Sequence, residues 1–544
     1  MKVDGSNLPL AKTRMRSTAK VKHLVGFLAL LTHIVIPLWG ELEVQAEPGD
    51  SKRQITGFCS IGDGKAVIID HQAISNDLSL QVNKLITGLQ QIDMPGFGYS
   101  PTMKGECFAP LLASQKIGSG LVADHGLVMP QQVLELVKLG PRALPFLLKN
   151  LDNNSPTQLR VARAGAESQS VVDFICFAQE ICANPLSDIE RRVLGDFVNP
   201  YYRMPPDTPT AGPASYVVTV GDVCMVAIGQ IVNRNYTAMY YQMTSIVVIN
   251  SPTKDAEIAR KLRDIWSRTY PHDRHWGSLM LDYQTRYCGT SEENPSLIAH
   301  SPHWEWASKL QTGAAMRLLY YYPQQAAPTI AERLRKLDVE YDESTPGTLR
   351  DRDARNGIRT SDFIRAVAWS QEPQIETEIE RILASSNDER ILIECILGTS
   401  DDDEKEFESR CERLFQRFSS VRNTPTNATM ELLGRIARGS GDGGQKLLSA
   451  YAHDQSANRR FCLCRVLRGT RFEHTAEVLA PLLDDRRLFP PSYWERICDQ
   501  AAEVIRIQHP EFQSRWVGDL ESKDRQIAEM KKNIARKWPR KLDR

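Results

Sequence analysis

Four of the eleven histidines in this 544-residue chain fall in one stretch, as His272-Asp-Arg-His275 and His300-Ser-Pro-His303-Trp-Glu305. Two His-x-x-His pairs 28 residues apart carry enough imidazole to surround a zinc ion. Asp273 or Glu305 would then serve as a further ligand, or as the base that takes a proton from metal-bound water. That chemistry is metal-assisted hydrolysis. The spacing matches no zinc motif, and His-x-x-His in a loop has no fixed geometry. Pro271, Pro302, Trp276, Trp304 and Trp306 suit an ordered aromatic surface loop equally well. His272, His275, His300 and His303 stand as metal candidates with zinc as the implied cofactor, and no catalytic residue is assigned.

Other chemistry-bearing stretches have plainer readings. Gly439-Ser-Gly-Asp-Gly-Gly444 has the glycine content of a phosphate cradle, but it follows a helical pattern and lacks a Lys-Ser/Thr pair, so a helix-to-helix turn is expected. Asp401-Asp-Asp-Glu404 offers oxygen ligands for calcium, yet negative charge at a helix start is favoured by the helix dipole without any ion. Gly-x-Ser-x-Gly, His-Glu-x-x-His and paired Cys-x-x-Cys motifs are absent from the sequence. The eleven cysteines are odd in number and unclustered, unlike a small secreted disulfide framework. Cys59 and Cys107 lie in loop-rich sequence where a pair is conceivable, whereas Cys395, Cys464 and Cys498 fall on apolar helix stripes as small core residues. Cys462 and Cys464, two apart on a helix, point in different directions and make a poor chelate.

Charge and the chain ends bound the function classes. Lys+Arg and Asp+Glu both total 67, so the formal net charge is zero and nucleic acid is an unlikely partner. Residues 1–23 carry six basic side chains against Asp4, a local charge of +5, and an apolar run follows from Val25 to Trp39. That run is short for a bilayer span, and Val44-Gln-Ala46 supplies small residues ahead of Glu47, the pattern of a cleaved export signal over residues 1–46. An uncleaved membrane anchor through Val25–Trp39 is the rival reading. The address is periplasmic or extracellular in the first case and membrane-anchored in the second. From Lys523 to Arg544 nine basic and three acidic residues give +6, which reads as a solvated terminal helix or, with Trp538, an attraction for anionic lipid.

At this length the chain is either several domains or an extended repeat array. Residues 47–198 read as a mixed N-terminal region, with a short strand at 65–70, a helix over Leu78–Ile92 and a helical pair over Val133–Leu151. Five prolines make 199–213 a linker. The middle region, 214–311, is expected to hold a strand at Tyr216–Val220, a buried helix at Asp222–Val232 and a surface helix at Glu257–Trp266, with 267–311 lacking a sustained period. From Thr312 apolar helices recur in pairs, near 312–337, 361–383, 388–417, 427–451, 457–483 and 492–507. Ser386-x-x-Glu389 and Ser492-x-x-Glu495 have the side chains of capping boxes and predict helix starts there. Residues 517–544 form a charged, basic C-terminal helix or tail.

The turns Leu151-Asp152, Leu337-Asp338 and Leu482-Leu483-Asp484, with the helix Arg496-Ile-Cys-Asp-Gln-Ala-Ala502, resemble HEAT-type helical repeats over 312–516. Units anchored on Leu337, Leu383, Leu414, Tyr451 and Leu483 are 46, 31, 37 and 32 residues apart, against a usual period of about 40–47. The resemblance implies a mainly α fold: an α-solenoid of stacked antiparallel helix pairs whose concave face grips a partner, with no catalytic residues. A mixed N-terminal region containing a few short strands is expected to precede the solenoid. The function expected is an exported, non-catalytic scaffold for protein–protein interaction. A metal-dependent enzyme at 272–305 and a membrane-tethered structural component of the envelope are the alternatives.

Overall fold

A computed structural model describes residues 58–59, 76–94, 107–114, 129–162, 215–236, 238–241, 247–249, 251–267, 271–287, 302–337, 352–353, 358–399, 404–417, 427–439, 442–488, 495–512 and 519–537. All lie in one compact unit, Gly57–Arg544. Residues 1–46, where an export signal is expected, the strand expected at 65–70, the proline-rich 199–213 and the side chain of Cys59 lie outside the described residues. Among the described residues no helix is long and apolar enough to cross a membrane.

The fold is mainly helical. In the N-terminal part α1 (Asn76–Gly88) packs against α2 (Gln131–Leu139) and α3 (Leu144–Lys149), which pack on α4 (Val220–Val232), with α5 (Ala256–Trp266) against α3. Every residue of α4 is buried, as its unbroken apolar run dictates. Its start is fixed by a capping box, in which Thr219 Oγ1 accepts from the Asp222 amide while the Asp222 carboxylate accepts from Thr219 N–H and from Tyr216. The antiparallel strands β1 (Pro156–Ala162) and β2 (Ser215–Thr219) lead into it, pairing Val161 with Tyr216 and Arg160 with Val217. The strands among the described residues form four such two-stranded antiparallel pairs, with no larger sheet. One of them, Arg352–Asp353 with Ile358–Arg359, lies beyond the N-terminal half, where no strand was expected.

The stretch 267–311, which shows no period, is not a loop where it is described. It supplies α6 (Pro271–Gln284) and the first part of α7 (Pro302–Tyr321). Both start on proline, which suits the first helical position because its missing N–H is one of the unpaired donors there anyway. Leu279, Ser278 and His275 of α6 are buried, as are Thr312 to Leu319 of α7, and polar residues among the buried ones hide the period in sequence.

From α7 onward helices come in succession: α8 (Pro323–Lys336), α9 (Thr360–Val367), α10 (Pro373–Ser385), α11 (Glu389–Leu397), α12 (Glu404–Arg417), α13 (Asn427–Gly439), α14 (Asp442–Ala452), α15 (Ala457–Gly469), α16 (Thr475–Leu479), α17 (Ile497–Gln508) and α18 (Leu520–Lys537). Each odd-numbered helix packs on the next odd one, α7 on α9, α9 on α11, and so to α17. The even ones do so at α8 with α10, α12 with α14 and α14 with α16. Two apolar cores run along this row and meet at α11. Ile391 and Cys395 belong to the first, while Leu392, Ile393 and Ile396 belong to the second. The short helix thus joins both.

Side chains of later helices close the ends of earlier ones. The last four carbonyls of a helix have no intrahelical partner. Tyr321 of α7 donates to Val137 O of α2 at 2.6 Å, and Arg263 of α5 to Leu148 O of α3 at 3.0 Å. Arg333 of α8 reaches Tyr283 O of α6, and Arg381 of α10 reaches Leu334 O of α8, both at 3.2 Å. Arg435 of α13 binds Leu397 O and Thr399 O at the end of α11, and Gln508 of α17 binds Leu467 O and Thr470 O at the end of α15. Each of these donors lies later in the chain than its acceptor.

Three details differ from the sequence reading. Ser386 does not cap α11; Asp388 does, accepting from the Arg390 amide at 2.9 Å, while Ser386 Oγ accepts from Asp388 N–H. Ser492 lies outside the described residues, and α17 starts at Ile497, because Arg496 is extended and bridged to Leu488 while Ile497 N–H donates to Arg487 O. The basic C-terminal helix is not simply solvated. Ile527, Met530 and Ile534 of α18 are buried in the second core, and Lys531–Asp484 and Lys537–Glu511 pairs, each 2.5 Å, flank them.

Candidate functional site

Of the four candidate histidines, His275 has a described side chain. His272 sits one turn earlier on α6 and His303 in the first turn of α7, with side chains outside the described set, as is His300 altogether. His275 is fully buried, with Nε2 2.8 Å from Ile231 O and Nδ1 2.9 Å from the Tyr322 hydroxyl. A carbonyl only accepts, so Nε2 carries the proton and Nδ1 accepts from Tyr322. Its lone pair is thereby engaged, and a metal at His275 would have to displace Tyr322. This imidazole closes the end of α4, as the arginines close other helix ends.

Beside it lies a buried ionic node that no motif announced. Arg317 of α7 is fully buried; its Nε donates to Gln230 O, and Nη1 to Asn233 Oδ1 at 2.9 Å and Gly313 O at 3.0 Å. Its Nη2 reaches Cys107 O at 3.3 Å, and burial pulls the guanidinium down to about 10. Asn233 adopts the left-handed conformation that ends α4 and donates to Asp282 at 3.1 Å and Leu310 O at 2.9 Å. Asp282 of α6 also contacts Arg234, which donates to Ser278 Oγ at 3.1 Å. The node thus ties α4, α6 and α7 together.

A second ionic cluster spans the odd-numbered helices. Arg365 of α9, 1 % exposed, lies 3.6 Å from the fully buried Glu394 of α11 and binds Glu431 of α13 with both terminal nitrogens. Arg459 of α15, 4 % exposed, donates to both carboxylate oxygens of Glu389 on α11, at 2.8 and 3.0 Å. The sequence signal for these groups is a lone charge inside an apolar helix: Ala314-Ala-Met-Arg317-Leu, Phe363-Ile-Arg365-Ala and Ile393-Glu394-Cys. Such a charge is buried only when paired.

An open depression of about 660 Å³ lies between α15, α16 and the strand-like segment ahead of α17, lined by Gln455, Arg460, Pro481, Asp484, Asp485, Arg486 and Arg487. Asp485 organises it, accepting from Arg460 at 2.9 Å and from Arg487 Nη2 at 2.7 Å and Nε at 2.9 Å. Burial pushes its carboxyl up, but the hydrogen bonds from Arg487 and Arg460 outweigh that and hold it below the usual range. A depressed folded-state value means stability that is complete above the unfolded value, about 3.9, and lost as pH falls through the folded one. Asp485→Asn should therefore cost about 1–3 kcal/mol at pH 7 and flatten the acid side of the urea-midpoint profile. An unchanged slope below about pH 4 would show that the contact is not formed in solution.

The cysteine thiols point the same way. Cys224, Cys395, Cys411, Cys464 and Cys498 are buried and unbridged, and burial pushes Cys395 and Cys411 up to about 12. A thiol held that high is a packing group, because the thiolate is the nucleophile. Among the described residues no three His, Cys, Asp or Glu side chains gather as a metal-binding set. What these described arrangements do chemically is neutralise buried charge and terminate helices. No family model, curated protein or solved structure matches the chain.

Proposed function

We propose that this chain is an exported, non-catalytic scaffold that binds another protein, its row of helices forming an α-solenoid of the HEAT-like kind. The observation that carries the reading is the regular odd-on-odd packing from α7 to α17, with carbonyl-terminating donors spanning successive rungs. Helices related in this way bury a shared core and leave a long outer surface for a partner. The basic flank and apolar run at the N-terminus support export.

Capture experiments on the full-length protein, purified from its native envelope, test this. A saturable, stoichiometric complex with one protein is expected, from a preparation without stoichiometric zinc whose mature chain starts near Glu47. Failure of any partner to saturate overturns the scaffold reading. Stoichiometric zinc would favour an enzyme at 272–305, and an intact N-terminus would favour the membrane-tethered alternative.

A further inference from the structure

The last helices of the row carry a group of exposed arginines. Ala457–Arg471 holds five arginines and no carboxylate. Arg459 and Arg460 turn inward, to Glu389 and Asp485. Arg465, Arg468 and Arg471 are exposed, with the partly exposed Phe461 and Cys462 on the same stripe of α15. On α13 the exposed Arg438 lies over Gly434, with a guanidinium nitrogen 3.5 Å from where a Cβ would stand. Val466 of α15 comes within 3.8 Å of the same point, so Arg438 borders α15. On α17 Glu503 receives Arg506 at 3.2 Å and Arg468 at 3.8 Å, and Ile507 one turn on is 43 % exposed.

Glu503 shows how this face takes a carboxylate: it sits between guanidiniums of two rungs. Arg438, Arg465 and Arg471 are exposed to solvent. A planar guanidinium fork matches a carboxylate in bidentate fashion. Phe461 and Ile507 add apolar contact area that a peptide side chain can use and a sugar-phosphate backbone cannot. The chain's zero net charge likewise lacks the basic excess usual for binding a polyanion.

We infer that the face formed by Arg438, Arg465, Arg468 and Arg471 docks an acidic segment of a partner protein, with Phe461 and Ile507 receiving apolar side chains interspersed among its carboxylates. This rests on the scaffold reading and names the partner's chemistry. The test uses the full-length protein and a fluorescein-labelled peptide of repeated Glu-Glu-Leu. Its anisotropy titration is compared with single-stranded DNA of equal charge and with phosphatidylglycerol vesicles. The triple variant Arg438→Glu/Arg465→Glu/Arg471→Glu should bind the peptide at least about tenfold more weakly while keeping the parent's circular dichroism and melting temperature. Should that variant melt early, the neutral Arg438→Gln/Arg465→Gln/Arg471→Gln set takes its place, again with weakened peptide binding expected. Equal peptide affinity in parent and variant overturns the inference, as does tighter binding of the DNA or the vesicles than of the peptide. If the variant still holds the partner captured by the parent with unchanged affinity, this face is not the dock and the scaffold reading stands. If the parent holds no saturable partner, the scaffold reading falls with it.

Discussion

Replacing Asp282 with alanine is expected to destabilise the fold by about 3–5 kcal/mol, a large share of the stability of any domain. Asp282 is 3 % exposed, and its carboxylate faces Arg234 directly while balancing Arg317 nearby. Without it two buried guanidiniums confront each other across a site that has lost its carboxylate, with Ser278 Oγ, Gln230 O and Asn233 Oδ1 among their remaining acceptors. The cost comes from the uncompensated charge more than from a lost hydrogen bond. Asp282→Asn keeps the side-chain shape and one acceptor, so it should lie between wild type and Asp282→Ala. Urea unfolding followed by circular dichroism measures both. A loss below about 1 kcal/mol for the alanine variant would show that solvent reaches the node and screens it.

The second large effect concerns Arg365. Arg365→Met should cost about 3–5 kcal/mol, because it leaves Glu394 buried without its guanidinium and releases Glu431. Adding Glu394→Gln should return part of that loss, since the remaining group no longer carries a charge into the core. A double-mutant cycle in the same urea assay gives the coupling, expected between about 1 and 3 kcal/mol. Strict additivity of the two changes would mean that the pair does not interact. Burial opposes the charge on Arg365, yet its contacts with Glu431 and Glu394 hold it above its ordinary value, so neutralisation of the arginine offers no relief.

The sequence made legible the helices with a solvent side, and α4 by its unbroken apolar run. Ile258, Leu262 and Ile265 mark α5, and Ile375, Ile379 and Ile382 mark α10, because three- and four-residue spacing is visible only when the other face is polar. α6 and the first part of α7 escaped notice because His, Trp, Arg and Gln interrupt their apolar residues and hide the period. Thr475–Asp485 divides into α16 and a tighter turn over Ala480–Asp484, where Pro481 has no N–H to continue the helix. Cap positions were misjudged where several short polar residues compete. Asp388 outbids Ser386 by lying directly before the first turn of α11. The candidate site was less legible still. Zinc was suggested by histidine density, while the side chains that bind rung to rung, Arg317, Arg365 and Arg459, are single residues whose partners lie 70 or more positions away in several cases, as at Arg459 with Glu389 and Arg317 with Asn233.

The closing donors impose an order in time. Leu397 O and Thr399 O wait for Arg435, and Leu467 O and Thr470 O wait for Gln508. A ribosome delivers the acceptor long before the donor, at roughly 5–20 residues per second. The ends of α11 and α15 therefore stay frayed until α13 and α17 have left the exit tunnel. These parts of the molecule therefore mature as a wave behind the site of synthesis.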